Sequence, residues 1–273
     1  MNQKTWFSAS NLWIALVVLT ALAAPYLAPY NPLEPVGKAL SPPSSEFILG
    51  TDALGRDLLS RLLYGSRLSL GSSCLAALLT ILIGGFVGLI AASAPRWLDR
   101  TLLWIANALL AIPGLLLAML LVAGMGPRML TIVLAVGLGG APGFARMSRT
   151  VFRQIRTQGY IQAAKALGGG EPWIAHFHIL PNAAPHIFSL GTIHIAWAFL
   201  GTTTLTFLGL SGDPSLPEWG AMLNAGRLTL RQAPIPAILP GLMISLTVLS
   251  IYSLGAWLVD QTDPLREHAP NLH

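Results

Sequence analysis

The sequence predicts an all-α polytopic membrane protein with six transmembrane helices. Two observations carry this. The first is composition: 53% of the 273 residues are hydrophobic and only 10% are charged. A soluble domain carries about 25% charged residues, so this chain cannot cover a water-facing surface. The second is spacing, because apolar runs recur that reach the roughly 17 residues a spanning helix needs. The net charge of +5 reads as loops held to anionic lipid rather than as a face for nucleic acid. The single cysteine, Cys74, excludes an intramolecular disulfide and reads as a small packing residue in an apolar run.

Residues 1–11 form a short polar tail with Lys4. The first span runs from Leu12 to about Ala28, although Ala21-Leu22-Ala23 also mimics a signal-peptide cleavage site. Residues 29–67 form a long extramembrane segment. Its first half, with Pro29, Pro32, Pro35, Pro42 and Pro43, is extended or irregular. In its second half Thr51 or Asp52 caps a helix with Leu54, Leu58 and Leu62 on one face and Arg56 and Arg61 elsewhere. That pattern describes an interfacial amphipathic helix leading into a span.

The second span runs from Leu68 to about Ala94, where Gly84 and Gly88 let another helix approach closely. After a polar turn at residues 95–100, the third span covers Leu102 to about Ala123. Pro113 inside it is read as a kink that either serves packing or shapes a pathway. The fourth span runs from Met129 to about Phe144. The fifth, Ile187 to about Leu210, carries His194 and Thr202-Thr203-Thr204. An intramembrane histidine is a candidate functional site, with a packed residue as the plainer reading; the threonines can bond their own helix carbonyls. Pro113, His194 and Thr203 are the pathway candidates. An outer loop at 211–234, a sixth span from Ile235 to about Val259 and a short tail complete the chain.

Between the fourth and fifth spans lies a polar island. Arg146, Arg149, Arg153 and Arg156 lead into it. Tyr160, Ala163, Ala164 and Leu167 then recur at helical spacing. Gly168-Gly169-Gly170 ends that helix. Glu171-Pro172 suits the first turn of a second one, which Pro181 stops. On spacing alone this is either an amphipathic loop on the membrane surface or a docking knob for a soluble partner.

Ala163-Ala164, Gly168 and Ile179-x-Pro181 resemble the EAA…G…I-LP loop of ABC importer permease subunits. The resemblance implies coupling helices gripped by an ATPase through Tyr160, Gln162, Ala163, Ala164, Gly168, Trp173, Phe177 and Pro181. Gln162 stands where that family usually has Glu, so an ion pair at that position loses its charge. Leu49 to Leu70 is similar to the LGTDxxGRDxxSRxxxGxRxSL signature of the C-type subunit of dipeptide, oligopeptide and nickel importers. Gly50, Thr51, Asp52, Gly55, Arg56, Asp57, Ser60, Arg61 and Arg67 carry that match. Glu218-Trp219-Gly220 and the ending Asp263-Pro264 with Arg266 also resemble the family.

The resemblance implies a type I ABC importer permease fold. It implies a second permease chain in a heterodimer, two ATP-binding subunits that hold ATP and magnesium, and an extracytoplasmic solute-binding protein. The chain itself then needs no cofactor and is not an enzyme. The cargo is peptides, nickel or a metal–chelator complex, with His268 and His273 leaning slightly toward nickel. Residues 1–67 would hold the tail, first helix and extracytoplasmic segment. Residues 68–260 would form the core, with a cytoplasmic coupling loop at about 146–186, and 261–273 a cytoplasmic tail.

Several function classes are disfavoured. No G-x-x-x-x-G-K-[ST] loop exists; the lysines are Lys4, Lys38 and Lys165. No carboxylate lies in mid-span, which argues against a stand-alone secondary transporter or channel coupled through intramembrane acids. His176 and His178 point apart on a helix, a poor metal site, and Gly209–Gly212 is not a nucleophile elbow. Orientation rests on lysine and arginine near the spans. The side with the termini and polar island carries nine and the other seven, and five of the nine crowd between Arg146 and Lys165. This predicts an inner-membrane protein with both termini in the cytoplasm.

Overall fold

Backbone polar groups inside a bilayer must be satisfied within the chain, and a helix does this locally. The computed structural model describes residues 3–262, and within them the apolar runs are helical. In chain order the elements are α1 (Gln3–Leu27), α2 (Leu58–Ser93), α3 (Arg96–Leu110), α4 (Gly114–Met125) and α5 (Met129–Arg156). There follow α6 (Gly159–Ala166), α7 (Glu171–Ile174), α8 (Leu180–Phe207), α9 (Trp219–Arg227) and α10 (Ile235–Thr262). Among the described residues five helices are long and apolar enough to cross a membrane, and the bent pair α3–α4 makes a sixth crossing if counted as one.

The centre of the bundle is the pairing of α2 with α5. Gly84 and Gly88 lie where α5 passes; a Cβ on Gly84 would sit 2.6 Å from the Ala141 carbonyl oxygen. Polar side chains tie the helices where they touch. Thr80 Oγ1 donates to the Gly137 carbonyl at 2.9 Å, Ser148 Oγ to that of Gly84 at 3.3 Å, and Ser73 meets Thr202 of α8 at 2.9 Å. Helices α1 and α8 also pack on α2, and α10 packs on α8 and α1. Val17, Leu58, Leu62, Phe199 and Trp219 form the core at one end, which we call the signature end. Phe152, Ile155, Ile161, Ile174 and Ile179 form the core at the other, the island end.

Several sequence expectations are corrected. Helix α1 begins by Gln3, inside the expected tail. Helix α2 starts at Leu58, not near Thr51, because the Asp57 carboxylate is the cap and accepts from Ser60 N–H. The third span is not a kinked helix. It breaks into α3 and α4 at 84°, since Pro113 ends up as the N-cap residue of α4 instead of an interior residue of one helix. Pro181 does not stop the second island helix. The Leu180 N–H reaches back five residues to the Ala175 carbonyl, a π turn over Ala175–Ile179. The chain thereby stays helical into α8, with Pro181 in its first turn. Cys74 is exposed on the outside of α2, not packed. The ending Asp263-Pro264, Arg266 and the tail histidines His268 and His273 lie outside the described residues.

Candidate functional site

The island folds as a small platform with two opposite faces. Ile161 of α6, Ile174 of α7 and Ile179 of the π turn are fully buried against Phe152 and Ile155 of α5, Ala92 of α2 and Ala183 of α8. With that face spent on anchoring, the other face is exposed and apolar. Leu167 is 89% exposed, Phe177 57%, Trp173 49% and Tyr160 45%. Tyr160, Ala163, Ala164, Leu167, Gly168 and Trp173 surround a shallow cavity of about 660 Å³.

The turn between α6 and α7 is set by glycine. Gly168 has φ +86°, the left-handed conformation that closes a helix. Its N–H donates to the Lys165 carbonyl at 2.9 Å and that of Gly169 to Ala164 at 3.0 Å. Nothing lies within 4 Å of where a Gly168 Cβ would stand, so the glycine serves the turn while the space around it is open.

Ion pairs strap this platform to the bundle. Glu171 accepts from Arg156 Nη2 at 2.7 Å and pairs with Lys165 Nζ at 3.0 Å. Arg156 Nη1 also donates to Ser93 Oγ, the last residue of α2, at 3.0 Å. Gln162 Nε2 donates to the Arg156 carbonyl at 3.0 Å, a bond an ionised carboxylate could not make because it only accepts. Further back, Asp99 of α3 is gripped by Arg149 and by Arg153 Nη2 at 2.7 Å. Sequence reasoning read Gly168, Glu171 and Pro172 correctly as turn and helix start. It missed Leu167 as the most exposed part of the surface, and missed Arg156, Lys165 and Ser93 as its straps. Two cations, Arg156 and Lys165, preceding the acidic Glu171 were the available signal.

At the signature end the matched residues form a second assembly. Gly50 and Gly55 adopt φ +81° and +77° and fold residues 50–57 into a tight loop. Thr51 Oγ1 donates to the Lys38 carbonyl at 2.6 Å. Asp52 receives Arg56 Nε at 2.7 Å and lies 3.4 Å from Arg61 Nε. Asp57 accepts from both the N–H and the hydroxyl of Ser60. Arg56 and Arg61 were expected away from the apolar face; both are buried, and Leu54 is exposed. Arg61 donates to the Pro32, Ser215 and Leu216 carbonyls, which satisfies its guanidinium inside protein. Glu218 accepts from Ser69 Oγ at 2.8 Å, and Trp219 Nε1 donates to the Leu62 carbonyl at 3.0 Å. The signature and the Glu218-Trp219-Gly220 segment are therefore one clamp. Arg67 is exposed and stands outside it.

The three pathway candidates are not brought together. Pro113 is exposed at the α3–α4 break. His194 packs edge-on against Phe144, ring centroids 4.9 Å apart. Thr203, about two and a half turns further along α8, is buried and donates to the Phe199 carbonyl of its own helix at 2.7 Å.

Residues 84–265, more than half of the chain, match the family described as binding-protein-dependent transport system inner membrane component. The chain belongs to that family. It is 38% identical to the glutathione transport system permease protein GsiD of Pectobacterium atrosepticum, over 94% of this chain and 86% of the relative. It is 36% identical to the di/tripeptide transport system permease protein DppC of Pseudomonas aeruginosa, over 94% and 88%. Among solved structures, the inward-facing MetNI methionine ABC transporter has a chain of similar fold. The TM-score is 0.64 at 20% identity, covering 76% of this chain and 98% of that one. The protein is thus a multi-pass permease subunit of an ABC importer of the inner membrane, and works with ATP-binding and substrate-binding partners. The platform is anchored through buried isoleucines to α2, α5 and α8 and leaves its other apolar face exposed.

Proposed function

We propose that this chain is one half of a heterodimeric permease that admits short peptides, and that the α6–α7 platform is where an ATP-binding subunit grips it. The exposed apolar face of Tyr160, Leu167, Trp173 and Phe177 over a buried isoleucine anchor carries this reading. A water-facing patch of that kind marks a protein–protein contact. The contact residues are Tyr160, Gln162, Ala163, Ala164, Gly168, Trp173 and Phe177, with Pro181 setting where the platform joins α8. ATP and magnesium belong to two such partner subunits. The platform and both termini face the cytoplasm, supported by the crowding of basic residues from Arg146 to Lys165. The Asp52–Arg61–Glu218 clamp then faces outward, toward a solute-binding protein. The peptide cargo rests on the names of the two relatives, whose printed substrates are glutathione and di- and tripeptides.

The test is co-purification. A tagged chain expressed with its partner subunits should retain the ATP-binding subunit, and Trp173→Ala with Leu167→Asp should lose most of it while the permease pair stays assembled. Undiminished retention would overturn the docking assignment. Uptake of a labelled dipeptide in preference to labelled nickel by the intact system checks the cargo.

A further inference from the structure

We propose that Asp99 is a positioning residue for transport. It latches the start of α3 to the last turns of α5, so that α3 travels with the platform when an ATP-binding subunit pulls on it. The latch rests on the docking reading of the platform.

Little else within the chain fixes α3. Of its 15 residues only Asp99 and Ala106 are buried, and one alanine removes little apolar surface from solvent. The helix packs chiefly on α5 and α2. Apolar contact has no direction and lets one helix slide on another. A forked ion pair does not, because two parallel N–H bonds fix angle as well as distance. Arg149 presents such a fork to Asp99, Nε to Oδ1 and Nη2 to Oδ2, the second at 2.7 Å. Arg153 Nη2 adds a third bond, to Oδ2, also at 2.7 Å. The Asp99 side chain is 7% exposed and that of Arg149 16%, so salt screens the pair only weakly.

The three arginines explain one another. Arg149, Arg153 and Arg156 stand at i, i+4 and i+7 and share one face of α5. Like charges four residues apart repel on a helix surface; a carboxylate held between Arg149 and Arg153 turns that repulsion into a bridge. The helix ends favour it, since Asp99 lies in the first turn of α3 and Arg153 in the last turn of α5. Arg156 in turn holds the platform through Glu171 and α2 through Ser93. A pull on the platform reaches Arg156, and Arg153 and Arg149, one and two turns behind it, pass it to Asp99. Asparagine could not serve. It has one acceptor oxygen, and its NH₂ would face a guanidinium. Glutamate keeps both oxygens on a longer stem.

The test uses the whole transporter complex, with this chain carrying Cys74→Ser and pairs of spin labels. One pair joins Glu46→Cys at the signature end to Trp97→Cys on α3, the other joins Glu46→Cys to Thr150→Cys on α5; all three positions are exposed. With Asp99 in place, ATP binding should change both distances together. Asp99→Asn should keep the change at α5 and lose most of it at α3. In that variant uptake per ATP hydrolysed should fall about tenfold, and Asp99→Glu should restore most of it, whereas a merely structural loss would lower uptake and hydrolysis in proportion. An α5 label that moves while the α3 label stays, in the chain with Asp99, would overturn the latch alone. So would unchanged uptake per ATP in Asp99→Asn. An α5 label unmoved by ATP would remove the docking lever, and the latch with it.

Discussion

Arg61 and Glu218 show how single residues hold the signature end. Arg61 is a buried cation whose planar fork reaches three carbonyls from two distant loops; lysine, a point donor, could not span them. Glu218 is its acidic counterpart in the same clamp. Burial pushes its carboxyl above the ordinary value, against donors from Thr206, Ala221, Ser69 and Gly220 that pull it down. A carboxyl that holds its proton more tightly folded than unfolded makes the fold less stable as pH rises from the ordinary carboxylate value to the raised one. Glu218→Gln removes that proton exchange. The melting temperature of the purified complex should therefore decline with pH across that window for wild type, and stay flatter in the variant. Periodicity could not have placed either residue. Arg61 looks like a polar position on an amphipathic helix until the loop some 150 residues later is known to fold over it. Only the family signature marked it in advance.

At the scale of elements, the platform was legible where local chemistry decides and illegible where tertiary context does. Gly168 was readable because a left-handed turn needs glycine, and Glu171-Pro172 because helix starts have their own chemistry. Pro181 was misread: a proline stops a helix only if the backbone cannot rearrange, and here a π turn absorbs the missing N–H. Pro113 erred the opposite way, ending a helix where a kink was expected. Gly168→Val tests the element. The site has open space but positive φ, so a β-branched residue should cost about 1–2 kcal/mol of local strain and open the turn between α6 and α7. The expected result is an assembled complex in which ATP hydrolysis no longer tracks uptake. Uptake and hydrolysis that remain in proportion would count against the platform as a lever.

For the whole molecule, the bundle depends on the close approach of α2 and α5. Gly84→Leu would drive a side chain into the Ala141 carbonyl and the Phe144 side chain, an overpacking cost of roughly 1–3 kcal/mol or more. The expected outcome is a lower melting temperature and less chain in the membrane. Gly71→Leu, where an added Cβ meets nothing within 4 Å, should change neither. The spans were legible as a set because apolar runs announce themselves, yet the uninterrupted length of α2 was not, since its first turns read as a separate interfacial helix. That length has a consequence. Thirty-six residues make a rod about 54 Å long, more than the full thickness of a bilayer with its headgroups. One tip is fastened by Asp57 and the other touches Arg156 through Ser93. A stiff strut joining both mouths of a gate leaves little slack between them, so a visitor arriving at one mouth is felt at the other as displacement of the same solid piece.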